Sequence, residues 1–251
     1  MHSPAICLRP KRPVRGLVFD MDGTILDTRP YHMASWRALV DHLGLGERAY
    51  RLAEQGFGRT NRAVFQQWFT SEAIGKYDLD ALSAQKEALF RDLIHGQVRA
   101  RAGFMELLDR ASRSGIRIGL ATSGPRENVL FLMRELGVLG RFDSLVWWDP
   151  AIRSKPHPEA FLLAARRMDV HPARCIGVED STHGFLAVRK AGMTLVAVAE
   201  QPQDLLFARK WTPLVMRDFW ALGRALKRLG PSGSPSLRPD APLASSIPPL
   251  P

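Results

Sequence analysis

Between residues 104 and 198 the chain alternates between two hydrophobic periodicities, and this alternation constrains its fold more than any other feature. Each segment with apolar residues at helical spacing is followed by a short apolar run of the kind that forms a buried strand. The predicted helix and strand pairs are 104–114 with 117–121, 126–136 with 144–147, 158–168 with 175–179, and 182–191 with 194–198. This order predicts an α/β fold in which a parallel sheet carries helices on both faces.

The segment 16–27 places two carboxylates at the end of a further apolar run. Its sequence is GLVFDMDGTILD, so that Asp20 and Asp22 are two residues apart and Gly23 follows them. In an extended chain, side chains at i and i+2 point to the same face, so both carboxylates can address one reacting atom. One carboxylate can act as a covalent nucleophile while the other moves a proton. An acidic turn is an alternative, whereas a calcium loop fits poorly because its glycine belongs five residues after the first Asp.

Two later strands also end in polar residues. Thr122, Ser123 and Gly124 follow the strand 117–121, and a hydroxyl with backbone N–H groups at such a turn suits a phosphoryl oxygen. Glu179 and Asp180 end the next buried strand, and hard carboxylate oxygens there suit Mg²⁺. An ordinary polar strand end and an acidic helix N-cap are the corresponding structural alternatives.

A lysine in a proline-rich frame completes the set of chemistry-bearing residues. Lys155 lies in the stretch SKPHPE, where Pro158 predicts the start of a helix. The lysine is therefore expected on a stiff loop, from which it can neutralise a carboxylate and a transferring phosphoryl group together. A solvated surface lysine is the alternative.

In this order, the four fragments resemble the four motifs of the haloacid dehalogenase (HAD) superfamily of phosphotransferases. The resemblance implies a Rossmann-like core in which Asp20 is the nucleophile and Asp22 is the general acid and base. It further implies that Thr122 binds the phosphate and that Lys155 offsets its charge. Ligands of such sheets lie beyond the carboxyl ends of the strands, where all four fragments fall.

The same resemblance implies Mg²⁺ as the cofactor. Its ligands would be the side chains of Asp20 and Asp180 and the backbone carbonyl of Asp22. Glu179 would bind the ion directly or through water. Asp20→Asn is then expected to lose turnover by several orders of magnitude while the fold stays intact.

An all-helical region separates the first motif from the second. Apolar residues recur at helical spacing in 30–43, 47–54, 62–69 and 79–94. By resemblance, residues 30–102 form an inserted α-helical cap, and 14–29 with 103–228 form the α/β core. The flanking segments are expected to be a basic N-terminal tail, 1–13, and a disordered tail rich in Pro and Ser, 229–251.

The cap sequence resembles the β-phosphoglucomutase-like branch of the superfamily. In that branch a His and a Trp at the positions of His32 and Trp36 lie at the cap–core junction. Arg59, within the stretch GFGRTN, resembles the arginine that meets the non-transferring phosphate, and Lys86 falls near another cap lysine of the branch. An ordinary amphipathic helix, with Trp36 in its core, explains the same spacing.

One departure separates two activities within that branch. In the mutases, small polar and basic residues after motif II bind a second phosphate, whereas here GPREN follows Ser123, as in the sugar-phosphate phosphatases. Ser123, Gly124 and Arg126 remain candidate substrate-binding residues, as does Asn128. We therefore expect a phosphatase that acts on a small phosphorylated metabolite, with a phosphosugar mutase as the alternative.

The chain carries a net charge of +10, which raises the question of a nucleic-acid partner. Arg9, Lys11, Arg12 and Arg15 precede the first strand, and the other basic residues are interleaved with acids. No basic run is interrupted by aromatic residues that would stack on bases, so a solvated basic surface is favoured over nucleic-acid binding. A non-catalytic regulatory or nucleic-acid-binding protein on the same scaffold remains a second class of function.

The remaining expectations concern location and assembly. No apolar run approaches the roughly 18 residues that span a bilayer, and the N-terminal residues lack the apolar stretch of a signal peptide. Cys7 and Cys175 are far apart and indicate no disulfide framework, so a reducing cytoplasm is expected. The oligomeric state is open, with a monomer favoured.

Overall fold

A computed structural model describes residues 12–57, 59–69 and 75–228 of the chain. The described strands are β1 (Gly16–Phe19), β2 (Arg117–Ala121), β3 (Ser144–Val146), β4 (Cys175–Glu179), β5 (Thr194–Val198) and β6 (Val215–Met216). The described α-helices are α1 (Arg29–His42), α2 (Gly46–Gln55), α3 (Asn61–Trp68), α4 (Leu79–Ile94), α5 (Phe104–Arg113), α6 (Arg126–Glu135), α7 (Glu159–Arg167), α8 (Thr182–Lys190), α9 (Pro202–Ala208) and α10 (Phe219–Arg228).

The six strands form one sheet in the order β3-β2-β1-β4-β5-β6, and every pair of neighbours is parallel. Phe19, the last residue of β1, pairs with Leu120 on one side and with Val178 on the other. The carboxyl ends of β1, β2 and β4 therefore lie side by side. This register brings the residues that follow these three strands to one edge of the sheet.

Both faces of the sheet are covered, as the apolar strands require. Leu17 and Phe19 point into one buried cluster and Val18 points into the other, as expected from the period of two in a strand. Phe19 also makes edge contacts with Phe104 and Phe219, whose ring centroids lie 5.5 and 5.8 Å away. The predicted α/β, Rossmann-like sheet with helices on both faces is confirmed.

Helices α1 to α4 lie between β1 and α5 in the chain and have an apolar cluster of their own. That cluster consists of Met33, Trp36, Leu39, Ala53, Val64, Phe65, Phe69, Leu79 and Leu82. Phe90 and Ile94, near the end of α4, instead pack in a cluster of the sheet. Where the chain leaves and re-enters the sheet region, Leu26 forms an isolated antiparallel β-bridge with Ala100. The division into a cap of residues 30–102 and a core stays a prediction.

The predicted elements agree with the structure to within one or two residues at their ends. Pro158 caps α7 rather than starting it, because the first helical residue is Glu159. No prediction was made for α9, α10 or the two-residue strand β6. The predicted tail 229–251 and most of the basic tail 1–13 lie outside the described residues. Among the residues that are described, no helix is both long and apolar enough to cross a membrane.

Candidate active site

The loop after β1 turns sharply and presents both aspartates at the edge of the sheet. The backbone N–H of Asp20 donates to the carbonyl of Val178 at 2.9 Å, which extends the pairing with β4 by one residue. Gly23 follows with φ +81°, and a Cβ at this position would overlap the carboxylate of Asp180. Only glycine allows both this backbone conformation and so close an approach.

Lys155 joins the loop between β3 and α7 to the two neighbouring strand ends. Its Nζ donates to Asp20 Oδ1 at 2.5 Å and to Glu179 Oε1 at 2.6 Å, and all three side chains are at most 8% exposed. Burial alone would lower the pKa of Lys155, but the two carboxylates raise it above its usual value. Lys155 is therefore a permanent cation beside Asp20.

Glu179 is the anchor of this strand end. Its Oε2 accepts from the backbone N–H groups of Asp180 and Ser181, both at 2.8 Å, and from the Ser181 hydroxyl at 3.0 Å. Gly184 lies against the same carboxylate, where a Cβ would overlap it. The alternative of Asp180 as the N-cap of α8 is wrong. Ser181 caps that helix, since its Oγ accepts from the N–H of Gly184 at 3.1 Å.

The charges and donor atoms at this edge fit a divalent cation. Oxygen atoms of Asp20, Glu179 and Asp180 lie within 4.8 Å of one another. Burial, together with the neighbouring carboxylates, raises the pKa of Asp20 well above its usual value and that of Asp180 to about 7. Within the described part of the chain, no hydrogen-bond donor reaches Oδ2 of Asp20 or of Asp180. Carboxylate oxygens are hard ligands of the kind that Mg²⁺ prefers, and one or two of them with waters are its usual set in proteins.

Asp22 has a different environment from Asp20. Its Oδ1 accepts from the hydroxyl of Thr28 at 2.7 Å and lies 3.4 Å from His32 Nε2. Burial raises the pKa of Asp22, but His32 and Thr28 outweigh it and hold this pKa below the usual value. The pKa values of the two aspartates are thus shifted in opposite directions, that of Asp20 upward and that of Asp22 downward.

His32, Lys86 and Trp36 form a buried group behind Asp22. Lys86 Nζ lies 2.6 Å from His32 Nδ1 and 5.1 Å from the centroid of the Trp36 ring. The His32 ring stacks on Phe90, with centroids 3.8 Å apart. Trp36 packs in the apolar cluster of α1 to α4, so the helix-core alternative describes it correctly, and it also lines the site cavity.

The loop after β2 closes on itself. The N–H of Gly124 donates to Thr122 Oγ1 at 3.0 Å, so this N–H already has a partner within the turn. The guanidinium of Arg126 lies 5.8 Å from the Trp147 ring centroid, and Arg126 is not among the residues that line the site cavity. Asn128 is buried in α6 and is not among the residues that line the site cavity.

A cavity of about 700 Å³ lies between the sheet edge and helices α1 to α4. It is lined by every predicted site residue except Arg126 and Asn128, whose roles in substrate binding stay predictions. The predicted residues that line it are Asp20, Asp22, His32, Trp36, Arg59, Lys86, Thr122, Ser123, Gly124, Lys155, Glu179 and Asp180. Arg59 is exposed at the mouth, whereas Lys86 is 2% exposed.

Several lining residues were missed by the sequence reasoning. Ser83, Glu87 and Arg91 lie along one face of α4, and Trp148 follows β3. Ser83, Glu87 and Arg91 are four residues apart from one to the next, which forms a polar stripe on a helix, and this signal is present in the sequence. Nothing local marks Trp148.

Comparison with known proteins places this arrangement in a family. A profile of the haloacid dehalogenase-like hydrolases matches residues 14–192, a range that holds all four candidate motifs. The chain belongs to this family. The resemblance drawn from the motifs is thereby confirmed, and the HAD-like assignment covers the sheet edge and helices α1 to α4 alike.

Relatives of this HAD-like chain include phosphatases and mutases. Fructose-1-phosphate phosphatase YqaB of Escherichia coli is 34% identical over 190 residues, which are 73% of this chain and 95% of that protein. β-Phosphoglucomutase of Bacillus subtilis is 29% identical over 201 residues, or 78% of this chain and 87% of the relative. The crystal structure of β-phosphoglucomutase from Clostridium difficile superposes with a TM-score of 0.69 at 25% identity, over 86% of this chain and 98% of that one.

Proposed function

We propose that the chain is a Mg²⁺-dependent phosphatase that hydrolyses a small sugar phosphate through an aspartyl-phosphate on Asp20. The observation that carries the proposal is the convergence of Asp20, Lys155, Glu179 and Asp180 on one cavity, with Asp22 beside them. A bound Mg²⁺ would supply positive charge that offsets the phosphoryl oxygens. Asp20, Asp180 and the carbonyl of Asp22 would hold it, and Glu179 fixes the strand end from which Asp180 projects.

In the first half-reaction Asp20 attacks phosphorus, and the bond to the sugar oxygen breaks as the new O–P bond forms. Lys155 offsets the repulsion between the carboxylate and the anionic phosphate. Asp22 gives a proton to the departing sugar oxygen. Its pKa is held low by His32 and Thr28, but an anionic phosphate beside Asp22 raises that pKa and favours proton uptake.

In the second half-reaction water attacks the aspartyl-phosphate and phosphate departs from Asp20. Asp22, now ionised, takes the proton from the water. The hydrogen bonds from Thr28 and His32 to Asp22 Oδ1 hold the carboxylate in place for this step. Asp22 thus returns to the protonated form with which the cycle began.

The residues after Thr122 favour a phosphatase over a mutase. A mutase must bind a second phosphate on this side of the cavity. Here Gly124 and Pro125 carry no charge, and Arg126 is not among the residues that line the cavity. The amide of Asn128 is already bonded to Glu87 and Arg91. The phosphatase names among the relatives support hydrolysis of a sugar phosphate by this chain as well.

A panel of sugar phosphates assayed with Mg²⁺ tests the proposal. Released phosphate and isomerised sugar phosphate would both be measured, with Asp20→Asn as the matched inactive variant. We expect phosphate release that chelation of Mg²⁺ abolishes and that Asp20→Asn reduces by at least a thousandfold. Activity retained in Asp20→Asn would refute the assignment of the nucleophile. Isomerised product with a bisphosphate primer would select the mutase, and salt-sensitive DNA retention without phosphate release would select the binding protein.

A further inference from the structure

Glu87 is a buried carboxylate to which the proposed mechanism gives no role. It is 6% exposed and lies on α4, at the wall of the site cavity. Its Oε1 accepts from Lys86 Nζ at 2.9 Å and from Asn61 Nδ2 at 2.8 Å, and its Oε2 accepts from Asn128 Nδ2 at 2.6 Å. Three donors from α3, α4 and α6 therefore fix the position of this one side chain.

The first consequence of this arrangement is the position of Lys86. The Lys86 ammonium is 2% exposed, and Glu87 is the carboxylate that forms an ion pair with it. A buried ammonium is costly unless a carboxylate balances its charge. Glu87 thus fixes where Nζ lies, and the same Nζ contacts His32 Nδ1 at 2.6 Å.

The second consequence is the proton arrangement of His32. Because an ammonium group only donates, His32 Nδ1 must accept, and the neutral ring carries its proton on Nε2. That nitrogen faces Asp22 Oδ1 at 3.4 Å, while stacking on Phe90 fixes the plane of the ring. Glu87, Lys86, His32 and Asp22 therefore form one continuous chain of contacts.

The third consequence is that this series of contacts is joined at both ends to segments that follow strands of the sheet. Asp22 follows β1, and Asn128 belongs to α6, the helix that follows β2. Asn128 is 1% exposed; it donates to Glu87 and accepts from Arg91 Nη1 at 2.8 Å. Through these two hydrogen bonds its amide connects α6 to α4.

We propose that Glu87 and Asn128 are a pair of positioning residues that hold Lys86 and His32 in the arrangement that directs Asp22 at the leaving group. The proposal rests on the proposed function, since it assigns these residues to the proton-transfer half of that site. Neither residue touches the reacting atoms. Their effect reaches the reaction only through Lys86, His32 and Asp22.

The dependence of kcat/KM on the leaving group distinguishes this role from a purely structural one. Sugar phosphates release a basic alkoxide that needs a proton from Asp22, whereas p-nitrophenyl phosphate releases a weakly basic phenolate that does not. The ratio kcat/KM reports only the steps up to departure of the alcohol or phenol from phosphorus, so it does not include hydrolysis of the aspartyl-phosphate. We expect Glu87→Gln to lower kcat/KM for the sugar phosphate by about 10- to 100-fold, and that for p-nitrophenyl phosphate by less than about threefold.

Three further variants make the test decisive. Asp92→Asn removes an exposed carboxylate from the same helix and should leave kcat/KM unchanged for both substrates. Asn128→Leu should reproduce the selective loss of Glu87→Gln, and the double variant should lose no more than Glu87→Gln alone. Asn128→Leu also decides the matter if Glu87→Gln does not fold, as judged by its thermal transition.

Equal losses on both substrates, or no loss on the sugar phosphate, would overturn the proposal. So would losses that multiply in the double variant, because the two residues would then act separately. Failure of the proposed function has a different signature, since the unmodified protein would then release phosphate from neither substrate.

Discussion

Gly184 is a helix residue at which alanine should destabilise the protein, against the usual trend. It lies in the first turn of α8, where a change from glycine to alanine ordinarily stabilises a helix by about 1 kcal/mol. Here a Cβ would overlap the carboxylate of Glu179. Because this Cβ would overlap the carboxyl carbon of Glu179 itself, the Glu179 side chain must leave its present position to make room.

The magnitude follows from the hydrogen bonds that Glu179 would lose. It accepts from Lys155 at 2.6 Å, from two backbone N–H groups at 2.8 Å and from the Ser181 hydroxyl at 3.0 Å. Hydrogen bonds to a charged group contribute about 1.5–3 kcal/mol each. The loss of two of these four hydrogen bonds therefore costs about 3–6 kcal/mol. After the helix gain of about 1 kcal/mol, Gly184→Ala should lower the free energy of unfolding by about 2–5 kcal/mol.

Urea unfolding of the Mg²⁺-free protein and phosphate release with Mg²⁺ measure the two effects. A loss of about 3 kcal/mol corresponds to a drop in Tm of about 6–12 °C for a chain of this size. The control is Gly140→Ala, because a methyl group added at Gly140 would meet no atom within 4 Å and the φ of this residue is ordinary. If Gly184→Ala were as stable and as active as Gly140→Ala, the position assigned to Glu179, and with it the geometry of the proposed metal site, would be wrong.

Three other outcomes follow from the buried titratable groups. Lys155→Met should lower the free energy of unfolding at neutral pH by about 3–5 kcal/mol and abolish turnover, because Asp20 and Glu179 lose their cation; equal stability in urea would contradict the pairing. Burial raises the pKa of Glu87, but Lys86, His32 and the Asn61 amide outweigh burial, so the pKa in the folded protein lies below the usual glutamate value. The ionised Glu87 therefore stabilises the folded protein above the usual glutamate pKa. This stabilisation is lost as the pH falls through the pKa of Glu87 in the folded protein. Glu87→Gln should therefore flatten the loss of stability between about pH 5 and pH 3, measured as Tm against pH. Burial raises the pKa of the Cys175 thiol to about 12, so iodoacetamide at pH 8 should leave Cys175 unmodified in the native protein and label it after denaturation, as mass spectrometry of its peptide would show.

Much of the sheet edge was predictable because its signals are local. The apolar runs at β2, β4 and β5 fixed those strands to the residue, and the polar residues that follow β1, β2 and β4 marked the site. Parallel strands bring their carboxyl ends together, so Asp20, Thr122 and Asp180 could be expected to meet without coordinates. The strand β6 escaped prediction because two residues carry no periodicity.

The contacts behind Asp22 could not be predicted in the same way. Glu87 and Asn128 are separated by 41 residues, and neither lies in a recognisable pattern with the other. Their hydrogen bond depends on how α4 lies against α6, which the packing of whole helices decides. For the same reason, sequence placed Arg126 among the substrate-binding candidates, whereas the structure turns its guanidinium toward Trp147.

The sequence by itself determined the fold class, the family and the candidate site residues, because the hydrophobic period and the composition at strand ends are properties of neighbouring residues. Only the tertiary structure decided which partners those residues have. It showed that Glu179 is held by Lys155 and its own helix turn, and that Asp22 connects through His32 to the wall of the cavity. Hydrogen bonds between distant segments depend on distances of a few tenths of an ångström, which a linear pattern does not contain.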